Sequence, residues 1–318
     1  MDEFQLIRDY FTGWQVGNSP RLGIGDDAAI ISTDSERQLV VAADTLVVDR
    51  HFPKSATPEQ IASRALAVNL SDIAAMGARP EYYTLCLTLP VADEDWLARF
   101  ARQLRQGSEQ YHCALIGGDT TKGELCISLQ MIGSVPAEKA LTRSAAKQGQ
   151  KVFVTGCLGD AAGFVKANFS DDASFEPLAR KFWTPEPQLK FAQQALNYIE
   201  ACIDISDGLI ADLSHICRAS GVGAEIHTEQ IPVSPSLKQN FPDEYLQLAL
   251  TGGDDYQLCF TAEPEYEDQI SEIAALCNLN LACIGKVVAA ENSDNYQVKC
   301  FDIKGTEISI RQGGYSHF

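Results

Sequence analysis

The chain has 318 residues, a length that suggests two domains of ordinary size. Hydrophobic residues make up 45% of it, which is enough to form cores and argues against a disordered protein. The net charge of -18 argues against nonspecific nucleic-acid binding and against attachment to an anionic membrane, because both need a basic surface.

The N-terminal segment MDEFQLIRDYF has neither the basic nor the apolar region of a secretory signal, and no run of residues is long and apolar enough to span a membrane. The ten cysteines include no Cys-x-x-Cys pair, and several lie in apolar, strand-like runs. Reduced core thiols are therefore favoured over disulfides or a zinc site. Together these features predict a cytoplasmic protein without nucleic-acid or membrane partners.

Patterns in the first half of the chain predict a β-β-α-β-α-β-β order. Residues 28–48 suggest two strands around the turn Thr33–Arg37, and Thr57-Pro58-Glu59-Gln60 combines an N-cap, a first-turn proline and a capping box. The helix that begins there should run to about Met76. A strand YYTLCLTL, an amphipathic helix opening at Asp93 and the strands CALIGG and LCISLQMIG follow. This order predicts a split βαβ sheet, mainly antiparallel, with helices on one face.

The composition becomes polar and basic at residues 137–150, which indicates a crossing between domains. We therefore expect an N-terminal domain over residues 1–138 and a C-terminal mixed α/β domain over residues 139–318. Helical and strand patterns alternate in the second domain, but they do not specify its topology. The helices are expected at 160–169, 188–198, 208–219 and 265–277, and the strands near 201–205, 224–227, 257–261, 281–286 and 296–303.

Aspartate recurs beside glycine or another small residue at predicted bends, and this is the most informative pattern in the chain. If these loops meet in the fold, the repulsion between their carboxylates would be severe at low dielectric. Hard divalent cations such as Mg²⁺ relieve such repulsion, usually with substrate phosphates as further ligands. The pattern therefore predicts a metal-dependent phosphoryl-transfer enzyme. The segments are Gly25-Asp26-Asp27, Ala43-Asp44-Thr45, Ser71-Asp72, Gly117-Gly118-Asp119, Asp204-Ile205-Ser206-Asp207-Gly208 and Gly252-Gly253-Asp254-Asp255.

Asp72 lies in the predicted helix of residues 58–76, at the centre of an arc of apolar side chains. A carboxylate on the core side of a helix is costly unless it is paired or bound to a cation. Metal ligation is the favoured interpretation, and a loop cap or an ion pair with an arginine such as Arg64 is the alternative. Asp44 supports the first interpretation because it interrupts an apolar run, whereas Asp26-Asp27 is also typical of an ordinary turn.

Two further segments have both a ligand-binding and a structural interpretation. Gly117-Gly118-Asp119 follows a buried strand, so its backbone could hold a phosphate, or it could form a hairpin turn. Asp204 to Gly208 lies between a strand and a helix, the usual place for ligand groups in α/β folds. Ser206 or Asp207 could equally serve there as the helix N-cap.

Arg143, in the crossing between the domains, is the best candidate for a cation that clamps a transferring phosphoryl group, and a solvated surface arginine is the alternative. His51 could donate to an anionic ligand or be structural. The chain lacks a P-loop, the His-Arg-Asp and Asp-Phe-Gly motifs of protein kinases, and a G-x-G-x-x-G after a strand. If it uses ATP, metal bridging must replace the usual lysine-bearing loop.

Eight blocks follow one another from about residue 23 to the end: LGIGDDAA, AADTLVVDRHF, ALAVNLSDIAAMGARP, IGGDTTKG, ALTRSAAK, IDISDGLIADL, TGGDDYQLCF and GGYSHF. Together they resemble the thiamine-monophosphate kinase family, within the aminoimidazole ribonucleotide synthetase superfamily. The resemblance implies a two-domain α/β (α+β) subunit whose N-terminal sheets pair across a homodimer, with ATP bound between the domains. It also implies ATP-dependent phosphorylation of thiamine monophosphate to thiamine diphosphate, assisted by several Mg²⁺ ions.

The same resemblance assigns roles by position. Asp72, Asp119 and Arg143 would be catalytic, and His51, Asp254 and Tyr315 would bind thiamine monophosphate. The nucleotide would contact Tyr111, Gly118, Asp119, Arg143 and Ser206. The Mg²⁺ ligands would be Asp27, Asp44, Asp72, Asp119, Asp204 and Asp207.

Three positions depart from the usual pattern of that family. Ala42 and Ala43 replace a common Ser-Thr pair before Asp44, which limits metal contacts there to backbone oxygen. Asp254 stands where Glu is often found, so its reach towards the thiamine is shorter. The tail offers two aromatic candidates for substrate contact, Tyr315 and Phe318.

The implied chemistry agrees with the residues present and absent. The acceptor is already a phosphate with a second pKa of about 6, so its attacking oxygen needs no general base at neutral pH. Mg²⁺ ions would offset the repulsion between the reactants and align them for direct in-line transfer without a phosphoenzyme.

Two other functions remain as alternatives. Another ATP-using member of the superfamily, an aminoimidazole ribonucleotide or selenophosphate synthetase, is disfavoured by the Arg50-His51-Phe52 turn and the GGYSHF tail. A non-catalytic Ca²⁺-binding protein is a different class. It is disfavoured because the D-x-[DN]-x-[DN]-G spacing of a calcium loop is absent.

Overall fold

A computed structural model describes residues 3–14, 16–17, 20–21, 23–24, 29, 31–290 and 297–310. The chain divides into two compact units. The first comprises residues 1–73 and 78–138, and the second comprises residues 74–77 and 139–318.

The first unit contains a four-stranded sheet. Its strands are β1 (Arg37–Val47), β2 (Arg79–Leu89), β3 (Ala114–Lys122) and β4 (Cys126–Pro136). They lie in the order β1-β4-β2-β3, with β2 and β3 parallel and the other neighbours antiparallel. The predicted split βαβ sheet is therefore confirmed. The strand expected before the turn Thr33–Arg37 is not, because the described residues 31–34 have no regular structure.

The described helices of residues 3–138 are α1 (Glu3–Phe11), α2 (Pro58–Ala75) and α3 (Glu94–Tyr111). The predicted start of α2 is confirmed, because the Thr57 N–H donates to Gln60 Oε1 at 2.8 Å and the Gln60 N–H donates to Thr57 Oγ1 at 3.3 Å. This reciprocal pair satisfies two backbone donors that the helix itself leaves without acceptors. The predicted opening of α3 is confirmed as well, since Asp93 accepts from the Trp96 N–H.

The two faces of this sheet have different surroundings. Leu85 and Leu129 point to the buried face, where the Tyr83 hydroxyl of β2 is 2.6 Å from Ser108 Oγ of α3. Side chains that alternate with them point the other way. On that open face Leu39 is 46% and Val41 is 56% exposed, so no described helix of this unit covers this part of the sheet. Elsewhere on the same face, Tyr82, Ala114 and Ile116 pack with Ala29 and Ile31.

The second unit contains a seven-stranded sheet. Its strands are β5 (Lys151–Thr155), β6 (Cys202–Asp204), β7 (Val222–His227), β8 (Leu258–Ala262), β9 (Leu281–Ala289), β10 (Val298–Phe301) and β11 (Glu307–Ile308). Their order is β11-β10-β7-β9-β5-β8-β6. The pair β7–β10 is parallel, and the other described pairs are antiparallel.

The α helices described in the second unit are α4 (Asp160–Lys166), α5 (Glu176–Trp183), α6 (Leu189–Gln194), α7 (Leu209–Ser220), α8 (Pro235–Asn240), α9 (Tyr245–Thr251) and α10 (Glu267–Leu276). The four expected helices are confirmed as α4, α6, α7 and α10. Helices α5, α8 and α9 were not predicted from the sequence, because they have six to eight residues each and so carry little periodic signal.

Helix α7 packs on the sheet of the second unit. Leu209, Leu213 and Ile216 are fully buried in one cluster with Ile226 of β7 and Cys259 of β8. This packing fixes the loop between β6 and α7 relative to the sheet. In the part of the chain that the structure describes, no helix has the length and apolarity to cross a membrane.

Candidate active site

Asp44 lies inside β1, and its backbone is fixed by α2. The Asp44 N–H donates to Asn69 Oδ1 at 2.9 Å, and the Asn69 amide nitrogen donates to the Ala65 carbonyl at 2.9 Å. Asn69 is fully buried, so water does not compete for these hydrogen bonds. Because Asp72 lies three residues beyond Asn69, it is on the same face of α2. The structure thus places Asp44 and Asp72 on neighbouring surfaces of β1 and α2.

The arc predicted around Asp72 is buried at Ile61, Ala65 and Val68, but most of the rest of α2 is buried as well, and Asp72 is among its more exposed residues. The neighbours Ser71 and Ile73 are both 0% exposed, whereas Asp72 itself is half-buried. A helix enclosed on nearly all sides has no single core face, and the wheel argument therefore fails for α2. Asp72 is one of the places where α2 reaches the surface, and a carboxylate there can contact a ligand.

Asp119 lies within β3 and not at a bend. Asp44 pairs with Leu129, Leu129 with Leu85, and Leu85 with Gly118. Asp44 and Gly118 therefore occupy one row at opposite edges of the sheet, roughly 14 Å apart at ordinary strand spacing. Because side chains alternate, Asp119 points to the open face and Asp44 to the helix-covered face. Within one copy of the first unit, the described residues do not bring these two carboxylates together.

Gly118 occupies a backbone position that excludes every other residue. Its φ is 150°, and a Cβ there would lie 1.8 Å from the Leu85 carbonyl oxygen. The segment Gly117–Asp119 belongs to the pairing of β2 with β3. The interpretation of it as a hairpin turn is therefore wrong, whereas the interpretation that its backbone holds a phosphate stays a prediction. The sequence pattern of glycine before aspartate did not distinguish a bend from a tightly paired strand.

His51 lies in a tight turn that follows β1. The Val47 N–H donates to His51 Nδ1 at 3.0 Å, and the His51 N–H donates to the Val47 carbonyl at 2.9 Å. An Nδ1 atom that accepts a hydrogen bond leaves the proton of a neutral imidazole on Nε2. The turn therefore fixes Nε2 as a donor, which suits contact with an anionic group.

Asp27 and Tyr315 lie outside the described residues, as does Phe318. Tyr111 is half-buried at the last position of α3, where His112 ends the helix with a φ of 55°.

In the second unit, the loop between β6 and α7 folds around a carboxylate of the chain itself. Asp212 Oδ2 accepts from the N–H groups of Ser206 at 3.0 Å, Asp207 at 3.0 Å and Gly208 at 3.1 Å. Asp204, at the end of β6, is 5% exposed, and Ser206 and Asp207 are half-buried. The loop thus holds three oxygen-bearing side chains next to the start of α7.

Neither Ser206 nor Asp207 is the N-cap of α7, so that alternative is wrong. Gly208 is the N-cap, and it makes no side-chain cap bond. Asp212, in the first turn of the helix, supplies the acceptor instead. Burial raises the pKa of Asp212 to about 7; the charges of Asp204 and Asp207 add to this effect, and the hydrogen bonds from Asp207 and Ser206 oppose it.

The loop of residues 252–256 packs against the β6–α7 loop. The Asp254 N–H donates to the Ser206 carbonyl at 2.9 Å, and the Tyr256 N–H donates to the Ile205 carbonyl at 2.8 Å. Asp254 has a φ of 71°, and its Oδ1 accepts from the Tyr256 hydroxyl at 3.2 Å. Asp254 is therefore held in a strained backbone conformation beside the loop that carries Asp207.

Asp255 holds the loop of residues 252–256 in place through its hydrogen bonds with the Gly159 N–H. It is 7% exposed, and its two carboxylate oxygens accept from the Gly159 N–H at 2.9 and 2.8 Å, immediately before α4. Burial raises the pKa of Asp255 well above its ordinary value, and the hydrogen bonds from the Gly159 and Ala161 N–H groups oppose the shift. Of the two adjacent aspartates, Asp254 is the one at the surface, which agrees with its predicted contact with a ligand.

Arg143 lies beside α7 in the second unit. Its carbonyl accepts from Ser220 Oγ at 2.9 Å, and its side chain is exposed. Partial burial lowers the pKa of His215, the positive charges of Arg143 and Arg218 lower it further, and the negative charge of Asp207 opposes them. Arg143, Arg218 and Asp207 are therefore the charged groups that act on His215 of α7.

The donor atoms of the predicted metal ligands fit a hard cation. Asp44, Asp72, Asp119, Asp204 and Asp207 offer carboxylate oxygens, which Mg²⁺ prefers to nitrogen or sulfur. Within the described ranges, no three His, Cys, Asp or Glu side chains form a group that could hold a metal ion. Mg²⁺ often takes only one or two carboxylates and completes its shell with water and substrate phosphates, so these residues suit ions that arrive with a nucleotide.

Three residues of the site, Asn69, Asp212 and His215, were not predicted from the sequence. Asp212 had a detectable signal, because it places a carboxylate on the apolar stripe of Leu209, Leu213 and Ile216. Asn69 similarly interrupts the apolar run ALAVNL. His215 gave no sequence signal, since its partners come from outside its own helix.

Comparison with protein-family models finds two matches that together cover most of the chain. Residues 25–135 match the N-terminal domain of AIR synthase related protein. Residues 147–295 match the C-terminal domain of the same family.

Relatives of known name are similar over nearly the whole length. The thiamine-monophosphate kinase of Haemophilus influenzae is 40% identical, with 100% of this chain and 98% of that protein covered. The crystal structure of the thiamine-monophosphate kinase from Stenotrophomonas maltophilia is 39% identical, with a TM-score of 0.83 over 88% of this chain and 90% of that one. The structure of AaThiL complexed with AMPPCP and TMP is 30% identical, with a TM-score of 0.79 over 93% of this chain and 92% of that one.

Proposed function

The chain belongs to the thiamine-monophosphate kinase family, and we propose that its aspartate-bearing segments bind several Mg²⁺ ions that serve the reaction of this family. That reaction is the ATP-dependent phosphorylation of thiamine monophosphate to thiamine diphosphate. The observation that carries the assignment is the 40% identity to a kinase of this name across the whole chain. The solved relative named with AMPPCP, an analogue of ATP, and with TMP supports both substrates.

The β6–α7 loop supports the proposal of Mg²⁺. Its three successive N–H groups all bind Asp212, so they do not neutralise a phosphate. Negative charge on a nucleotide beside this loop must then be balanced by cations. Asp204 and Asp207 add further negative charge, and Mg²⁺ ions that bridge these carboxylates to the phosphates would balance both.

The proposed roles follow from the chemistry of each group. Asp72 and Asp119 would hold Mg²⁺ on the transferring phosphoryl group. Asp27, Asp44, Asp204 and Asp207 would be further Mg²⁺ ligands. Arg143 would bind the same group as a charge-assisted donor. Tyr111, Gly118 and Ser206 would contact the nucleotide, and His51, Asp254 and Tyr315 would contact thiamine monophosphate.

Transfer would be direct and in line. The acceptor phosphate is largely ionised at neutral pH, so no side chain need remove its proton. The proposed task of the protein is to align two anions and to offset their repulsion. Among these residues His51 has the clearest local support, because its Nδ1 is occupied by the Val47 N–H and its Nε2 is left as the donor.

A second copy of this chain is the partner proposed for the open face of the first sheet. Leu39 and Val41 expose apolar surface there, and Asp119 lies on the same face. Pairing of two such faces would bury this surface in an isologous homodimer. The cytoplasmic location and the lack of nucleic-acid and membrane partners stay predictions from the sequence.

The direct test is a coupled assay of the purified protein with ATP, MgCl2 and thiamine monophosphate. ADP release and thiamine diphosphate, separated by chromatography, should appear in equal amounts. The rate should fall to background when EDTA replaces MgCl2. Release of ADP with aminoimidazole ribonucleotide precursors or selenide, and not with thiamine monophosphate, would reject the assignment.

A further inference from the structure

Asp212 is buried next to the proposed site, and the reaction described above gives it no role. Its side chain is 2% exposed at the first turn of α7. A single atom, Oδ2, accepts three backbone N–H groups from Ser206, Asp207 and Gly208. Three convergent donors on one oxygen determine the orientation of three successive peptide groups, and hence the path of the loop.

The same loop is constrained from its other side by the chain itself. The Ser206 carbonyl accepts from the Asp254 N–H at 2.9 Å. A Cβ on Gly253 would lie only 2.3 Å from that carbonyl oxygen, and one on Gly208 would lie 2.8 Å from the carbonyl carbon of Thr251. The loop therefore packs closely on its outer side, while Asp212 supplies the acceptor on its inner side.

Loss of that acceptor would leave three N–H groups without it, that of Gly208 in a buried environment and those of Ser206 and Asp207 in a partly buried one. Each buried donor that lacks an acceptor costs about 1–3 kcal/mol, so the loop would rearrange to satisfy them. The side chains of Asp204, Ser206 and Asp207 would move with the peptide groups to which they are attached. Metal ligands that are displaced by about 1 Å lose much of their function.

We infer that Asp212 is a positioning residue, which accepts the three N–H groups of the β6–α7 loop and thereby aims Asp204, Ser206 and Asp207 at magnesium-bound ATP. This inference rests on the proposed function, and it adds a residue that does not itself touch the metal or the nucleotide. The relevant property of Asp212 is the position of one acceptor oxygen. An asparagine, which retains a carbonyl oxygen at that position, should therefore replace it far better than an alanine.

The test compares Asp212→Asn with Asp212→Ala in the full-length protein. For the alanine variant, we expect the Mg²⁺ concentration for half-maximal activity to rise at least 10-fold and kcat to fall at least 100-fold. For the asparagine variant, we expect both values within about 10-fold of the wild type. Equilibrium binding of Mg²⁺ with AMPPCP, measured by calorimetry, should follow the same order.

Asp302 provides a matched control in the same unit. Its Oδ1 accepts from the Lys304 N–H at 2.9 Å and the Thr306 N–H at 2.8 Å, in an exposed turn. Asp302→Ala removes the same kind of hydrogen bond, and its Mg²⁺ dependence and kcat should equal those of the wild type. A loss of activity in this control would mean that the assay reports general destabilisation, and the inference would then be rejected.

Three results would overturn the role of Asp212. The first is a folded alanine variant with unchanged Mg²⁺ dependence. The second is an asparagine variant as defective as the alanine variant, since charge and not acceptor position would then matter. The third applies if the alanine variant fails to fold: Mg²⁺–AMPPCP binding weakened by more than about 10-fold in the asparagine variant would reject the inference, and binding within about 10-fold of the wild type would support it. Wild-type protein that binds Mg²⁺–AMPPCP but does not phosphorylate thiamine monophosphate would reject the substrate assignment alone.

Discussion

A half-buried carboxylate is held by its neighbours and can still reach a ligand, and Asp72 is in this situation. The backbone around it is rigid, because Ser71 and Ile73 are completely buried. The adjacent strand is attached to the same helix face through Asn69 and Asp44. Such a carboxylate loses little conformational entropy on binding an ion, which is the advantage of a preorganised ligand.

The first prediction concerns Asp72→Asn. The amide keeps the shape of the side chain but loses the charge that binds Mg²⁺, so kcat should fall by roughly 10²–10⁴-fold, equivalent to several kcal/mol. Because the side chain is half-buried, the melting temperature measured by circular dichroism should change little. The control is Asp95→Asn in the first turn of α3, whose side chain is 81% exposed and which should keep full activity. Near-normal turnover in the Asp72 variant would remove this residue from the metal site.

The second prediction concerns the pH dependence of stability. Asp212 has an ordinary pKa of 3.8 and a pKa of about 7 in the folded protein. The folded state therefore binds this proton more tightly than the unfolded chain does. The stability that protonated Asp212 contributes is complete below a pH of 3.8 and is lost as the pH rises through about 7. In metal-free buffer, this group alone should lower the free energy of unfolding by about 2 kcal/mol between about pH 5.5 and pH 8.

The measurement is urea unfolding of the wild type and of Asp212→Asn at several pH values with EDTA present. Asp160 and Asp255 also have raised pKa values, so both proteins should lose stability with increasing pH. The difference between the two curves isolates Asp212, and the asparagine variant should be the flatter one. Parallel curves would show that Asp212 does not titrate in this range.

At the scale of elements, the sequence predicts what is local and periodic. The capping box of Thr57 and Gln60 and the N-cap Asp93 are both observed, because their signals lie within four residues. Their success shows that helix ends can be predicted from neighbouring side chains alone.

The residues whose roles were not predicted are those whose environment depends on other segments of the chain. Gly118 looks like a bend residue, but its conformation is set by Leu85 on the neighbouring strand. Asp212 looks like part of a helix, but its role depends on the loop before it. For the same reason the sequence suggested which aspartates carry function, yet it did not place Asp44 and Asp119 on opposite faces of one sheet.

The third prediction follows from the pairing of β2 with β3. Gly118→Ala would place a methyl group 1.8 Å from the Leu85 carbonyl oxygen, so the two strands would have to separate. The first unit should lose about 3 kcal/mol of stability or more, in the range expected for backbone strain and overpacking. Urea unfolding should reveal this as a lower midpoint.

Gly117→Ala is the matched control, because the nearest atom to its added Cβ would be Thr84 Cγ2 at 3.9 Å. That variant should unfold near the wild-type midpoint. Equal stability of the two variants would show that the close approach at Gly118 is not essential to the sheet.

At the scale of the whole molecule, the open face of the first sheet predicts a homodimer. Val41 is 56% exposed in the middle of β1, on the same face as Asp119. Val41→Glu should introduce like charges at a self-complementary interface and weaken association by at least 100-fold, or about 3 kcal/mol. Size-exclusion chromatography with light scattering should then detect monomers at micromolar concentration.

Leu276→Glu is the control for this experiment. Leu276 is 72% exposed on α10 of the second unit, so it is an apolar surface residue that does not belong to the first sheet. Its variant should elute like the wild type. A wild-type protein that is monomeric at all concentrations would contradict the proposed assembly.

The closure of the β6–α7 loop by residues near 256 has a consequence for biosynthesis. The backbone donors that fix Ile205 and Ser206 belong to Tyr256 and Asp254, some fifty residues later in the chain. When only the first 240 residues have left the ribosome, every proposed magnesium ligand has therefore been delivered, but not the segment that fixes the loop of Asp204 and Asp207. Nascent chains should acquire the ability to bind nucleotide late and abruptly, after most of the polypeptide has emerged from the exit tunnel.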